Sequence, residues 1–326
     1  MLSVAAMATD DTTLPERIHR MPIHRHFRDG RLSVWEHEIR RLPEMRRAHP
    51  GLFHNPSPHA PIAPVRPWVQ TLFDVIPLVW DDPALQALKK RWRRFGPRYA
   101  KADAVIAISK HAADEGCRML GIDRRRTTVI HLGVGPEFRP GPAHQGGRPY
   151  VAIVSEFSRR KGFDTAIRVS DALCDSGYPH ELAIAGRVRE RQRPDFEQVM
   201  GTSRHPERIR ILGFVDDLAS LYRGAALYLM PSSYEGFGLT AIEAMACGTP
   251  VVAFSNSAIP EVVGDAAVLV PDGDVAAMIR AVKTILGSED LREDLTGRGL
   301  ERATHFRWED TAAAHAHVYR EVLASM

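Results

Sequence analysis

The sequence predicts an α/β fold built from strand–loop–helix units. Three apolar runs are typical of buried strands, and each is followed by a loop and a helix-like segment: residues 104–108, 150–154 and 225–230. Alternation of such strands with helices is typical of α/β proteins. The chain has 326 residues, which is long enough for two domains of this kind.

Residues 85–101 predict a basic amphipathic helix that is kinked or broken at Gly96-Pro97. Its apolar residues recur at spacings of three and four, and Lys and Arg fill the gaps: Leu85, Leu88, Trp92, Phe95 and Tyr99. Two interpretations remain open. The basic face could contact anionic lipids at a membrane surface, or the apolar face packs on a sheet while the basic face is solvated.

Two signals mark the middle of the chain. Ser109 follows the strand at 104–108 and is a typical N-cap for the next helix. Residues 139–149 contain three prolines and three glycines, and they are the candidate hinge between two domains.

The stretch after the strand at 225–230 has the most informative local pattern. Gly236 and Gly238 flank Phe237, so the backbone there can turn tightly. Good helix formers begin at Leu239. Unpaired N–H groups and the positive end of the helix dipole at this start are typical of a phosphate site, and the glycines keep side chains out of the way.

Glu235 and Glu243 lie on either side of this helix start. Two carboxylates would repel a bare phosphate, but each can accept hydrogen bonds from the hydroxyl groups of a sugar-bearing ligand. The alternative is a surface Glu and a helix Glu beside an ordinary turn, since two Glu residues at this spacing are common.

The wider pattern resembles the donor-site signature of family 4 retaining glycosyltransferases (glycosyl transferase group 1). Within this family the sequence resembles the mannosyltransferases. The spacing is Glu235-x7-Glu243, with Gly-Phe-Gly-Leu between and Glu-Ala-Met-Ala-Cys-Gly-Thr-Pro-Val-Val after. The family has the GT-B fold, two Rossmann-like domains facing across a cleft. The resemblance implies an N-terminal domain at 1–138, a hinge at 139–149, a nucleotide-sugar domain at 150–305 and a helix at 306–326 that crosses back.

The resemblance also implies roles for particular residues. Lys161 would bind the diphosphate of a nucleotide sugar and Glu235 would hold hydroxyls of the transferred sugar, and these two are the candidate catalytic residues. The other candidate donor-binding residues include Glu243 for the ribose and Val215 near the nucleobase: Arg160, Val215, Gly236, Phe237, Gly238, Leu239 and Glu243.

The candidate acceptor-side residues are Phe73 and Asp74. The family often has His-Asp at this strand end, and Phe73 replaces the His. If the family uses the backbone carbonyl at that position, Phe73 can serve; if it uses the imidazole, Phe73 cannot.

The first fifty residues depart from the family pattern. They are polar and rich in Arg and His, and their histidines have no metal-site arrangement with partner Cys or Asp. Family members begin with an apolar strand and a glycine-rich loop, and we find neither here. The segment at 2–7 could be the tail of that unit's helix. We therefore expect an incomplete N-terminal domain whose first βα unit is missing.

Composition excludes several classes of protein. A net charge of +3 does not indicate a bulk nucleic-acid binder. Three cysteines are typical of reduced thiols in a cytoplasm. No apolar run approaches the ~18–20 residues that cross a bilayer. We therefore expect a cytoplasmic protein, with peripheral contact to the inner face of the membrane as the open alternative for 85–101.

These expectations combine into a glycosyltransferase that moves a sugar from a UDP, GDP or ADP donor, with mannose weakly favoured, to a glycan, lipid or other acceptor with retention. Lys161, the Gly-Phe-Gly loop and the helix dipole would stabilise the negative charge of the departing diphosphate, so no metal is needed and no cofactor is implied. One alternative is an impaired nucleotide-sugar-binding or regulatory protein derived from such enzymes. A dinucleotide oxidoreductase would need a Gly-x-Gly-x-x-Gly between strand and helix, and we find none.

Overall fold

A computed structural model describes residues 51–58, 60, 66–82, 85–143 and 147–326, together with the backbone of 2–7 and 18–23. Within these ranges the chain forms two α/β domains, each built on an all-parallel sheet. The predicted fold class is confirmed.

The N-domain has a four-stranded parallel sheet in the order β3-β4-β5-β6. Its strands are β3 (Phe53–Asn55), β4 (Trp68–Leu72), β5 (Ala104–Ala107) and β6 (Thr127–Val129). Its helices are α1 (Ile76–Val79), α2 (Gln86–Phe95) and α3 (Lys110–Leu120). The N-cap predicted at Ser109 is confirmed, because the Ser109 side chain accepts a hydrogen bond from the N–H of Ala112.

The C-domain has a six-stranded parallel sheet. Its strands are β7 (Tyr150–Val154), β8 (Glu181–Ala185), β9 (Ile209–Gly213), β10 (Leu227–Met230), β11 (Val251–Ser255) and β12 (Val268–Pro271). Its helices are α4 (Phe163–Asp175), α5 (Arg193–Met200), α6 (Leu218–Gly224), α7 (Leu239–Ala246), α8 (Ile259–Val263), α9 (Val275–Gly287) and α10 (Glu289–Ala303).

The strands of the C-domain sheet lie in the order β12-β11-β10-β7-β8-β9. From β7, the chain adds β8 and β9 on one side and β10, β11 and β12 on the other, so the strand order reverses between β7 and β10. Ligands of open parallel sheets bind outside the carboxyl ends of the strands at such a reversal. The loops that follow β7 and β10 meet there, where the N–H of Ser233 donates to the carbonyl of Arg160 over 2.8 Å. The topology thus brings the loop that contains Arg160 and Lys161 close to the loop that contains Gly236 and Gly238.

The last helix, α11 (Trp308–Ala324), packs on the N-domain sheet although it follows the C-domain in the chain. Val318 and Val322 share a buried apolar cluster with Val69 and Ile106. α11 therefore joins the two domains through apolar contact as well as through the chain.

The interpretation of residues 2–7 as the tail of a helix is wrong. Leu2–Met7 forms a strand, β1, and not the tail of a helix, and it pairs in parallel with β2 (Ile18–Ile23). The two form a sheet of their own, separate from β3–β6. The partner strand lies more than ten residues away, so the local pattern gave no signal of the pairing. The segments at 8–17 and 24–50 lie outside the described residues.

The basic segment divides as expected at Gly96, where α2 gives way to a 3-10 helix, Gly96–Lys101. Trp92 and Tyr99 are buried and their rings stack at 5.8 Å. Lys90, Arg93 and Arg94 are exposed on the other side. The apolar face is thus used for packing, and the basic face is solvent-accessible. No helix among the described residues has the length and apolar character to cross a bilayer.

Candidate active site

The centre of the site is the buried carboxylate of Glu235, which is 7% exposed. Lys161 Nζ lies 2.5 Å from Glu235 Oε1, and Arg160 Nη1 lies 3.3 Å from Oε2. Arg160 also donates to the carbonyl of Tyr234 over 2.7 Å. The structure therefore brings together three of the predicted site residues from loops 74 positions apart.

The electrostatics of this cluster favour ionised side chains. Burial alone would raise the pKa of Glu235, but the charges of Lys161 and Arg160 outweigh it and hold that pKa below its usual value. Burial lowers the pKa of Lys161, and the Glu235 carboxylate opposes that shift. Arg160 and Lys161 both lie beside the Glu235 carboxylate, and these two cations are the groups of the cluster that suit an anionic ligand.

A small cleft, partly open to solvent, lies at the carboxyl ends of β7 and β10. Its polar lining includes Ser155, Lys161, Ser232, Glu235 and Thr240. Thr240 is itself held in place, because its hydroxyl accepts a hydrogen bond from Tyr228 over 2.8 Å. The cleft therefore opens onto the start of α7, where unpaired N–H groups are available.

The glycines of the loop before α7 are required by close contacts. A Cβ on Gly236 would lie 2.6 Å from the carbonyl oxygen of Phe73, which belongs to the N-domain. Gly238 has φ +109°, and a Cβ there would lie 2.7 Å from Ile259 Cδ1. The approach of the other domain is thus a reason for Gly236 that the sequence pattern did not reveal.

Glu243 has surroundings unlike those of Glu235. Its Oε2 accepts a hydrogen bond from the hydroxyl of Tyr222 over 3.1 Å, and burial raises its pKa above the usual value. Tyr222 packs edge-to-face on Tyr228, with ring centroids 5.4 Å apart. The pKa values of the two glutamates are therefore shifted in opposite directions, as expected for groups with different tasks.

The side chains of three further predicted donor residues, Phe237, Leu239 and Val215, lie in or against the apolar core. The Phe237 side chain is buried, with its ring 5.7 Å from His131 and 5.8 Å from Phe306, so only its backbone can meet a donor. Leu239 begins α7, and Val215 lies between β9 and α6, partly buried against the core.

The acceptor-side residues come from the loop after β4. Asp74 Oδ1 accepts a hydrogen bond from the N–H of Ile76 over 2.8 Å. Burial raises the pKa of Asp74, while the charges of Arg160 and Lys161 act in the opposite direction across the cleft. The Phe73 side chain packs against the core, and its carbonyl faces Gly236.

Sequence reasoning missed Asn256 and Ser257, which support the donor loop from the end of β11. Ser257 Oγ accepts a hydrogen bond from the N–H of Glu235 over 2.8 Å, and Asn256 Nδ2 donates to the carbonyl of Ser232 over 3.0 Å. Ser257 has φ +47°, an uncommon conformation for a residue with a side chain. Polar residues directly after a strand next to β10 were the signal available in the sequence.

Two parallel-sheet domains, with a cationic site at the strand-order reversal of the second, define a protein of the GT-B class. Solved structures agree with this fold. Sucrose-phosphate synthase from Thermosynechococcus elongatus superposes with a TM-score of 0.81 at 22% identity, covering 99% of this chain and 89% of that one. WaaG, a glycosyltransferase involved in lipopolysaccharide biosynthesis, superposes with a TM-score of 0.73 at 14% identity, covering 90% and 84%.

The chain belongs to glycosyltransferase family 4. The family model "Glycosyl transferases group 1" matches residues 135–302, and "Glycosyltransferase Family 4" matches residues 2–138. The chain is 42% identical to O-antigen chain mannosyltransferase B of Escherichia coli over 234 residues, which are 67% of this chain and 61% of that protein. It is 33% identical to a D-inositol 3-phosphate glycosyltransferase of Streptomyces bingchenggensis over 247 residues, 68% of this chain and 53% of that protein. The matched part thus spans little more than half the length of these relatives.

Proposed function

We propose that this protein transfers a hexose from a nucleotide diphosphate sugar to an acceptor, with retention of configuration. The observation that carries the proposal is the Lys161–Glu235–Arg160 cluster at the strand-order reversal, directly before the start of α7. Positive charge, helix N–H groups and a buried carboxylate are the groups that a sugar diphosphate requires together.

In this proposal the key step is departure of the nucleoside diphosphate, which develops negative charge on the β-phosphate. Lys161, Arg160 and the N-terminus of α7 would stabilise that charge where it forms, so no metal ion is required. Glu235 would accept hydrogen bonds from sugar hydroxyls and Glu243 from those of the ribose. We assign no protein nucleophile.

The donor and acceptor are proposed by class only. Val215 would meet the nucleobase through its backbone, which leaves UDP, GDP and ADP open. The relative that is named a mannosyltransferase weakly favours mannose. Asp74 and the Phe73 carbonyl face the cluster from the N-domain and would meet a glycan, lipid or other acceptor.

The proposal is tested by incubating the full chain with UDP-, GDP- and ADP-hexoses. A thermal-shift screen identifies the donor, because a ligand at about 100 times its Kd adds ~2.7 kcal/mol of stability. We then expect slow donor hydrolysis and release of a sugar whose first-formed anomer, followed by NMR, matches that of the donor. Binding with no turnover for any acceptor class would instead support a nucleotide-sugar-binding or regulatory protein.

We also propose that the protein is cytoplasmic and that residues 85–101 contact the inner face of the membrane. The support is the exposed basic face of α2, which includes Lys90, Arg93 and Arg94. Replacing these three residues with Gln should reduce cosedimentation with vesicles that contain anionic lipid, but not with neutral vesicles. The matched control replaces the exposed run Arg124–Arg126 of the same domain. Equal loss in both triple variants would contradict a dedicated surface.

A further inference from the structure

A polar contact between the domains lies beside the candidate donor site and has no part in the proposed chemistry. Glu261 on α8 of the C-domain accepts three hydrogen bonds from the N-domain. Oε1 accepts from the N–H of Lys110 over 2.7 Å and contacts His131 Nε2 at 2.8 Å, and Oε2 accepts from the N–H of His111 over 3.2 Å. One side chain thus joins two separate elements of the opposite domain.

The chemistry of this contact is that of a helix cap supplied by another domain. Lys110 and His111 begin α3, and their N–H groups have no partner within the helix. Burial would raise the pKa of Glu261, but the bonds from His131 and from the two N–H groups hold it below its usual value. An ionised carboxylate only accepts hydrogen bonds, so His131 must carry its proton on Nε2.

Ser109, the N-cap of the same helix, reaches the donor loop. Its hydroxyl is fully buried, accepts from the N–H of Ala112 over 2.9 Å and donates to the carbonyl of Gly236 over 2.7 Å. Because a trans peptide places its C=O and N–H in opposite directions, this bond fixes the direction of the Phe237 N–H. An N-domain side chain therefore orients a backbone donor in the loop that precedes α7.

We propose that Glu261 and Ser109 are positioning residues that hold the two domains closed and orient the Gly236–Phe237 peptide toward the donor. The orienting role rests on the proposed function, whereas the closing role does not. Within the described residues no hydrogen bond or ion pair joins Glu261 to the Lys161–Glu235 cluster, so its loss should leave nucleotide binding by the C-domain intact. Their loss should reduce the transfer step, which requires both domains.

Two variants remove the contacts with little other damage. In Glu261→Gln the amide NH₂ faces at least one N–H donor, so a charge-assisted hydrogen bond is lost, and the closed-to-open ratio should fall about tenfold or more. In Ser109→Gly the hydroxyl is lost, but Gly remains an acceptable N-cap at little cost. The matched controls are Glu289→Gln, an exposed glutamate, and Ser288→Gly, which caps α10 without interdomain contact.

The test measures hydrogen exchange of the Lys110 and His111 amides, small-angle scattering, nucleoside diphosphate affinity and transfer on the full chain. We expect Glu261→Gln and Ser109→Gly to speed exchange at these amides and expand the molecule. We also expect transfer kcat/KM to fall about tenfold in both variants, while in Glu261→Gln the affinity for UDP or GDP changes less than about twofold. The controls should match the wild type.

Unchanged exchange and scattering in both variants would overturn the closing role. In Glu261→Gln, a loss of nucleotide affinity equal to the loss of transfer would also overturn it, because the donor site itself would then be damaged. If the wild-type protein transfers no sugar, the proposed function fails, while exchange and scattering still decide the closing role.

Discussion

At the scale of single residues, the donor site depends on where each charge is held. Glu235 is buried between two cations, whereas Glu243 is buried against a tyrosine hydroxyl. The same side-chain chemistry therefore has opposite pKa shifts eight positions apart. The two glutamates should respond differently to the same substitution.

Glu243→Gln should weaken nucleotide binding, because an amide oxygen is a poorer acceptor for ribose hydroxyls than a carboxylate. Glu235→Gln should chiefly lower turnover, with nucleoside diphosphate still bound. Calorimetric titration with the nucleoside diphosphate and steady-state transfer assays separate the two effects. Normal transfer by both variants would contradict the site assignment.

Lys161→Ala should reduce kcat/KM by about one to two orders of magnitude, because a charge-assisted hydrogen bond to phosphate contributes roughly 1.5–3 kcal/mol. Arg160→Ala should have a smaller effect, since Arg160 Nη1 already donates to the Tyr234 carbonyl and is less available to phosphate. The neighbouring Arg159 is the control, because its guanidinium pairs with Asp195 and is 53% exposed. An equal loss from Arg160→Ala would mean that the charge is shared, and no loss from either would refute the diphosphate role.

At the scale of elements, the loop between β7 and α4 is held by backbone contact with the loop after β10. Gly162 has φ +67°, and a Cβ there would collide with the carbonyl of Pro231. The position of Lys161 thus depends on the absence of a side chain at its neighbour.

Gly162→Ala should destabilise the protein by roughly 2–4 kcal/mol, because left-handed strain and overpacking add. Gly177→Ala isolates the strain, since Gly177 has φ +76° with nothing within 4 Å, and it should cost roughly 1–2 kcal/mol. Urea unfolding of the two variants measures the difference. Equal destabilisation would show that the loop can relax away from Pro231.

His54 joins α11 to the N-domain sheet, and its pKa lies below the usual range. His54 lies 2.6 Å from the Tyr319 hydroxyl and 2.8 Å from Thr71 Oγ1. Burial, with a smaller effect of His315, lowers the pKa of His54 to about 4. The folded protein therefore holds this imidazole neutral.

Because the unfolded chain binds this proton near pH 6.5 and the folded chain only near pH 4, stability should fall as the pH falls through that window. This residue can change the free energy of unfolding by at most about 1.4 kcal/mol per pH unit. His54→Gln should make the free energy of unfolding depend less on pH between about pH 7 and about pH 4, although it lowers stability at neutral pH. Urea unfolding across this pH range measures the dependence. His317→Gln, an exposed histidine of the same helix, is the control and should leave the slope unchanged.

At the scale of the whole molecule, the C-domain has a sheet of its own and one apolar cluster built from its own residues alone. Residues 150–305 expressed alone should fold and bind nucleoside diphosphate within about tenfold of the full chain, without catalysing transfer, because the acceptor side and the Ser109 contact are absent. Circular dichroism and calorimetric titration check both expectations. An unfolded fragment would show that α11 and the N-domain are needed for its stability.

The parts that could be predicted from sequence depend on near neighbours in the chain. The strand at Tyr150–Val154 and the cap at Ser109 follow from an apolar run and from capping chemistry. The family motif around Glu235 likewise lies in one continuous stretch. These features need no knowledge of the fold, and the sequence by itself determined them.

Tertiary structure decided which of these features meet. The Lys161–Glu235 pair is 74 positions apart, Ser109–Gly236 is 127 apart and His131–Glu261 is 130 apart. The pairing of β1 with β2 is another contact that the local pattern did not reveal. Such contacts depend on strand order and on how two domains approach each other. Neither is encoded in short-range periodicity, because burial and capping patterns describe an element's environment without specifying which distant element provides it.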